Sequence, residues 1–450
     1  MVFANALYKI YFIKNTFKNF TYNYGVKYFG GVLMSKLVIT GGRRLEGKVR
    51  IPGAKNTVLP ILAATIISGK KSIIKDCPKI KDVYLTLEIL KDLGCEVFWE
   101  DDNLIIDSAN ISSTKIKDEL MDKMRSSIIL TGAILARMGE AKTTYPGGCE
   151  LGLRPIDLHI KAFGEMGIEI KEKHGYLNFD GKKLKPSEIH LDFPSVGATE
   201  NIMLAASKIK GRTKIINAAK EPEIEDLQNF LNKMGVKVYG AGTSVIEVNG
   251  TDTFYDVTHT VIPDRIVAAT YMMAGAITNG DIFLTNVNYN HISSVASALL
   301  SAGADVIKDG NDALRVKSNG KLKAINLVRT TPYPGFPTDA QSILMSLLSV
   351  CEGTSMIVEN IFDGRFKHVE ELKKMGADIT VDGRCAVIKG VPALYGARVN
   401  APDLRSGAGL VIAGLWAEGI TEITNVHYIE RGYEDIAGDL QKLGADISKI

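Results

Sequence analysis

Seven basic residues stand beside glycines, prolines or acids in short irregular stretches: Lys55 in Pro52-Gly-Ala-Lys-Asn56, Arg125 in Lys123-Met-Arg-Ser126, Arg154 in Gly152-Leu-Arg-Pro155, Arg265 in Pro263-Asp-Arg265, Arg365 in Asp363-Gly-Arg365, Arg405 in Asp403-Leu-Arg405 and Arg431 in Glu430-Arg-Gly432. Arginine stays charged when desolvated and grips carboxylate or phosphate with a two-pronged fork. Several such groups on loops facing one cleft would make an anion pocket. The plainer reading pairs each arginine with its neighbouring acid on the surface. Gly147-Gly-Cys149 offers a thiol on a loop with two flanking glycines, and nearby Arg154 would favour the thiolate. Pro337-Thr-Asp339 places a carboxylate at the start of a helix expected over 340–350. It would serve as a proton acceptor for a substrate hydroxyl, or Thr338 or Asp339 would simply cap the helix. Ser195-Val-Gly197, just ahead of another helix, presents backbone N–H groups able to hold phosphate. Cys77, Cys95, Cys351 and Cys385 sit in or beside patterned segments and read as inert, buried thiols.

The elements that must position these loops repeat six times. A helical pattern ends in a hydrophobic-Gly pair at Leu93-Gly94, Met166-Gly167, Met234-Gly235, Ala302-Gly303, Met375-Gly376 and Leu443-Gly444, at steps of 73, 68, 68, 73 and 68 residues. A second set, Gly69, Gly139, Gly211, Gly280, Gly353 and Gly419, opens a short strand-like stretch on the same beat. Two markers at one period make each unit a strand, loop, helix, glycine turn and strand. A chain of 450 residues exceeds a single core of about 250 to 300 residues. The six units therefore divide as three and three, giving two similar α/β domains across a cleft; a continuous ring of six is the other arrangement.

Composition narrows the classes. The chain is 46% hydrophobic and 23% charged, an ordinary globular profile. Its net charge of +3 gives no footprint for nucleic acid. No run approaches the roughly 20 apolar residues of a membrane span. Five cysteines without a C-x-x-C pair favour a reducing cytoplasm and disfavour structural zinc. Residues 1–33 hold ten aromatics, four lysines and no acid. A basic aromatic stretch of this kind can touch a membrane surface. The preferred reading starts the patterned protein at Met34 and treats 1–33 as a loosely attached extension or a misplaced start.

Taken in order, Pro52-Gly-Ala-Lys-Asn56, Pro146-Gly-Gly-Cys-Glu-Leu-Gly-Leu-Arg-Pro-Ile-Asp-Leu-His159, Ser195-Val-Gly-Ala-Thr199, Phe336-Pro-Thr-Asp339, Arg365-Phe-Lys-His368, Asp403-Leu-Arg405 and Arg431-Gly-Tyr433 resemble the UDP-N-acetylglucosamine 1-carboxyvinyltransferase family, from Met34 to the C-terminus. The resemblance implies two inside-out α/β domains, one near residues 55–262 and one built from 34–54 plus 263–450. It implies transfer of the enolpyruvyl group of phosphoenolpyruvate to the 3-hydroxyl of UDP-N-acetylglucosamine, without metal or organic cofactor. Cys149 would donate the proton, and Asp339 would be the base or orienting group at the sugar hydroxyl. Lys55, Asn56, Arg125, Arg154, Arg365, Arg405 and Arg431 would surround phosphoenolpyruvate, with Lys55 and Arg431 also catalytic. Asn56, Arg125, Arg154, Pro155, Ile156, Asp157, Leu158, Ser195, Val196, Gly197, Asp339 and Ile361 would hold the nucleotide sugar. Two stretches depart from the family: Phe193-Pro194 stands where many members carry a lysine, and Phe362-Asp-Gly-Arg365 replaces the usual Glu-Asn-Arg. The sister transferase acting on shikimate 3-phosphate lacks the cysteine loop. A non-catalytic sensor of nucleotide sugars would keep Asp157 and Ser195 but lose Cys149, Asp339 or the arginines.

Overall fold

The computed structural model describes residues 35–121, 123–145 and 156–450, and the side chains of Arg125 and Ser126 fall outside that description along with the rest. The expectation for residues 1–33 therefore lies outside the described residues.

Six mainly apolar helices are buried on nearly every side, as core helices are. They are α1 (Lys55–Ser68), α2 (Ile129–Met138), α3 (Val196–Ala206), α4 (Arg265–Ile277), α5 (Thr338–Leu348) and α6 (Leu404–Trp416). In α1 every residue from Thr57 to Ser68 is buried, and in α4 every residue from Ile266 to Ile277. Helices α1, α2 and α3 pack on one another, as do α4, α5 and α6. Helix backbones approach closely where glycine leaves room: a Cβ on Gly409 of α6 would stand 2.8 Å from the Ser342 carbonyl of α5.

Among the described residues six small sheets wrap these bundles, five of four strands and one of three. Their strands alternate, as Arg212–Ile216 and Thr354–Val358 do, with one face on the helices and one on solvent. Each four-stranded sheet has the same plan, one parallel edge pair followed by two antiparallel pairs, as in Glu188–His190, Arg212–Ile216, Val245–Asn249 and Lys237–Tyr239. In the three-stranded sheet a single parallel bridge, Lys115 to Lys142, stands where the fourth strand would be. The fold is thus two similar α/β lobes with helices inside and sheets outside. One core draws on residues from Val58 to Val261, the other on Leu37 to Ile51 and Val267 to Ile447.

The hydrophobic-Gly signals end helices as expected. Gly94, Gly167, Gly235, Gly303, Gly376 and Gly444 all have positive φ, between 85° and 111°. The second glycine set precedes strands beginning at Lys71, Glu140, Arg212, Asp281, Thr354 and Ile420.

The two lobes exchange their parallel edge strands. Glu46–Arg50, which leads into α1, pairs with Asp281–Thr285 of the second lobe. Val257–Thr260, which leads into α4, pairs with Lys71–Lys75 of the first. The two crossing segments run antiparallel, joined by Ala54 N–H to the Ile262 carbonyl at 2.8 Å and Asp264 N–H to the Pro52 carbonyl at 2.9 Å. Gly53 lies so close that a Cβ would fall 1.9 Å from the Asp76 carbonyl. Among the described residues no helix is long and apolar enough to cross a membrane.

Candidate active site

The inner helices carry the candidate residues in their first turns, where free N–H groups and the helix dipole favour anions. Lys55 opens α1, Ser195 caps α3 by accepting the Ala198 N–H at 3.3 Å, Arg265 opens α4, and Asp339 and Arg405 are the second residues of α5 and α6. Arg125 opens the 3-10 turn that feeds α2. The sixfold repeat thus places one candidate residue at or just ahead of the start of each inner helix.

Arg365, Arg405 and Arg431 reach acids distant in sequence. Arg365 donates from Nη2 to Asp339 Oδ1 at 2.5 Å and from Nε to the Thr338 carbonyl at 3.2 Å. Arg405 donates from Nε and Nη2 to Asp339 Oδ2, both at 3.2 Å. Arg431 reaches Asp82, with Nε to Oδ1 at 2.8 Å and Nη2 to Oδ2 at 3.3 Å. Lys55 Nζ takes the same carboxylate, Oδ2, at 2.7 Å. Asp403, next to Arg405, instead caps α6 through the N–H groups of Arg405 and Ser406 at 2.9 and 3.0 Å.

Arg365 is 1% exposed and Arg405 and Asp82 3%, while Lys55, Asp339 and Arg431 are half-buried. Burial pushes the Lys55 ammonium below its usual range, with Arg405 and Arg431 adding to the effect against Asp82. Burial pushes the Asp82 carboxyl up, but Lys55 and Arg431 outweigh it and hold the group below the ordinary carboxylate range. Desolvation works against Arg405, and the Asp339 carboxylate overcomes it and keeps the guanidinium firmly charged. His368, fully buried nearby, is drawn down to about 4 by burial and stays neutral. The Arg405 guanidinium also lies 6.0 Å from the Tyr433 ring centroid.

Asp339 is not a helix cap. Helix α5 starts at Thr338, two residues earlier than expected, and its cap residue Pro337 supplies no side-chain bond. Asp339 is committed to two guanidinium groups, and Thr338 Oγ1 donates to Glu359 at 2.9 Å. Glu359, 1% exposed, also accepts from Thr330 Oγ1 and from the N–H groups of Ile361 and Phe362, and so shapes the loop carrying Ile361 and Arg365.

On the other flank, Ile156 is buried ahead of the helix Asp157–Glu165, which places Asp157 and Leu158 in its first turn. His159 of that helix holds Asn201 of α3 at 2.9 Å and packs 3.4 Å from where a Gly197 Cβ would sit. The Ile156–Leu158 and Ser195–Gly197 segments therefore adjoin. Asn56 is half-buried beside Lys55. Cys149, Arg154 and Pro155 lie outside the described residues, as does the Arg125 side chain. Of the other thiols, Cys95 and Cys351 are pushed up to about 12 by burial, as inert cysteines are.

Sequence reasoning missed Asp82, Asp264, Glu223 and Glu359. Asp264 carried a signal, because it precedes an apolar helix as a capping residue does. Asp82 and Glu223 are ordinary acids that only the fold brings to the arginines, and Glu359 is one that it brings to Thr330 and Thr338.

The chain belongs to the enolpyruvyl transferases. The family model for EPSP synthase (3-phosphoshikimate 1-carboxyvinyltransferase) matches residues 39–440. The chain is 50% identical over 417 residues to UDP-N-acetylglucosamine 1-carboxyvinyltransferase 2 of Caldanaerobacter subterraneus subsp. tengcongensis, covering 93% of this chain and 100% of that one. It is 48% identical to UDP-N-acetylglucosamine 1-carboxyvinyltransferase of Finegoldia magna, over 93% and 99% of the two chains. Its fold is similar to that of the enolpyruvyl transferase NikO from Streptomyces tendae, with a TM-score of 0.83, 24% identity and coverage of 92% and 99%. EPSP synthase from Acinetobacter baumannii superposes with a TM-score of 0.72 at 19% identity, over 93% and 100% of the two chains.

Proposed function

We propose that this enzyme transfers the enolpyruvyl group of phosphoenolpyruvate to the 3-hydroxyl of UDP-N-acetylglucosamine and releases phosphate, the first committed step of peptidoglycan synthesis, in the cytoplasm. The observation that carries the reading is a group of four cations, Lys55, Arg365, Arg405 and Arg431, gathered on the two carboxylates of Asp82 and Asp339, with Arg365 and Arg405 buried. Four cations on two carboxylates leave positive charge that suits a small polyanion, and preorganised charge is often the largest catalytic term.

In this reaction the acceptor oxygen bonds to the central carbon of the enol while its proton passes toward Asp339. The terminal vinyl carbon gains a proton, assigned here to Cys149. The tetrahedral intermediate then expels phosphate toward the arginines and loses a methyl proton, which restores the double bond on the sugar. Ser195–Gly197 at the start of α3 and Ile156–Leu158 beside it would hold the nucleotide diphosphate and base. Residues 55–262 and residues 34–54 with 263–450 would close about the paired crossings as two bodies, excluding water.

The test is phosphate release from phosphoenolpyruvate with UDP-N-acetylglucosamine or shikimate 3-phosphate supplied separately. Release with the nucleotide sugar alone supports the assignment. Release only with shikimate 3-phosphate reassigns the acceptor, and release with neither favours a sensor.

A further inference from the structure

Five of the six inner helix starts carry residues that the reading above uses. The remaining one carries Arg265, and its surroundings are built rather than incidental. Arg265 donates from Nε to Glu223 Oε1 at 2.9 Å, with side chains 12% and 4% exposed. The pair crosses between lobes, since Glu223 lies in the first-lobe helix Pro222–Met234 and Arg265 opens α4 of the second. The guanidinium also lies 5.9 Å from the ring centroid of Tyr333, six residues before Asp339, and the Tyr333 N–H donates to Glu221 Oε1 at 3.4 Å.

We propose that Arg265, held by Glu223 of the other lobe, is a positioning residue for Asp339: it ties the Tyr333–Asp339 segment to the first lobe and supplies a third guanidinium charge near the carboxylate that faces the acceptor hydroxyl. This rests on the transferase reading of Asp339. The Asp339 charge is among those that keep Arg265 protonated against burial, with Glu223 and Glu221 ahead of it. Among the described residues Glu221 and Glu223 each keep one buried oxygen without a hydrogen-bond partner, so the cluster is more than one closed ion pair. The charges around Asp339 include Arg365 and Arg405 in direct contact, with Glu359 behind Thr338. Those around Arg265 are Glu221, Glu223 and His291, which burial keeps largely neutral.

Charge at Arg265 and at Glu223 then acts on Asp339 with opposite sign. Removing a cation favours the protonated carboxyl and moves the acid limb of kcat to higher pH. Removing the anion beside that cation moves the limb to lower pH. The experiment is the pH profile of kcat for the full chain with phosphoenolpyruvate and UDP-N-acetylglucosamine. Arg265→Gln is expected to raise the limb by about 0.5 to 1 pH unit, Glu223→Gln to lower it, and Arg265→Lys to restore it. Limbs that stay in place, or that move together, overturn the proposal and leave a structural ion pair. If Arg265→Gln does not fold, the contrast between Glu223→Gln and Arg265→Lys decides. The 13C carboxyl titration of Asp339, assigned by its loss in Asp339→Asn, makes the same comparison without turnover. Failure of the transferase reading and failure of this one are therefore separable.

Discussion

The side chain of Asp264 accepts the backbone N–H of Lys55 at 3.0 Å across 209 residues of sequence. Its other oxygen caps α4 through the N–H groups of Ile266 and Val267 at 2.8 and 3.0 Å. One carboxylate, 4% exposed, thus fixes the first turns of one inner helix in each lobe, at the point where the chain crosses back. Asp264→Asn keeps the size but turns a donor toward one of the two helices. The expected result is a loss of about 1 to 3 kcal/mol in urea unfolding together with weaker binding of inorganic phosphate by calorimetry. Unchanged phosphate affinity with lowered stability would reduce Asp264 to a plain cap.

Asp82 carries a pH signature. Its folded carboxyl titrates below its unfolded value, so its stabilisation is fully present above the unfolded pKa near 4 and is lost as pH falls through the lower, folded value. Asp82→Asn leaves Lys55 and Arg431 without their shared carboxylate, a loss of about 3 kcal/mol at neutral pH. The gap between wild type and variant should narrow as pH drops below about 4. A gap constant from pH 7 to pH 3, measured by denaturant titration, would remove the ion-pair explanation.

Asp339→Ala is expected to lower kcat by about two to four orders of magnitude, the range of positioned acid–base groups, while UDP-N-acetylglucosamine still binds. It also frees Arg365 and Arg405, so phosphate should bind more tightly to the variant. Turnover near wild type would return Asp339 to a structural role.

How much of this was legible in the chain follows from the range of each interaction. Gly94 and its five counterparts announced helix ends because a left-handed residue is a local demand, and six local demands at one period gave the architecture. The strand exchange was not legible: Glu46–Arg50 and Val257–Thr260 are ordinary strands whose partners only the tertiary fold selects. The arginines were visible as types, yet proximity in sequence pointed Arg365 to Asp363 and Arg431 to Glu430. The fold instead sends them to Asp339 and Asp82, 26 and 349 residues away. Asp339 looked like a cap because any carboxylate at a helix start does, until two guanidinium groups claim it.

Fosfomycin alkylates the equivalent cysteine in the family that the cysteine loop resembles, so Cys149 should be modified covalently. The intact mass after exposure in the presence of UDP-N-acetylglucosamine should show one adduct, absent in Cys149→Asp. An unmodified mass after long exposure would count against the proton-donor assignment.

The strand Leu37–Thr40 sets a boundary for truncation. It runs in the middle of its sheet, antiparallel to Ile420–Thr424 on one side and Asp446–Lys449 on the other. Leu37 and Ile39 are 1% and 0% exposed, and burial of each contributes about 1.5 to 3 kcal/mol. Lys36 and Ile450 exchange backbone hydrogen bonds at 2.8 and 2.9 Å just before this strand. Removing residues 1–33 keeps every one of these contacts and should leave kcat and the melting temperature unchanged. Removing residues 1–40 strips an inner strand, leaves Asp446–Lys449 without a partner, takes one of two partners from Ile420–Thr424 and withdraws two core side chains, so the product should be insoluble or unfolded. Equal activity of both truncations would mean that the sheet closes without its middle strand, and a large loss in the shorter truncation would make residues 1–33 part of the working enzyme.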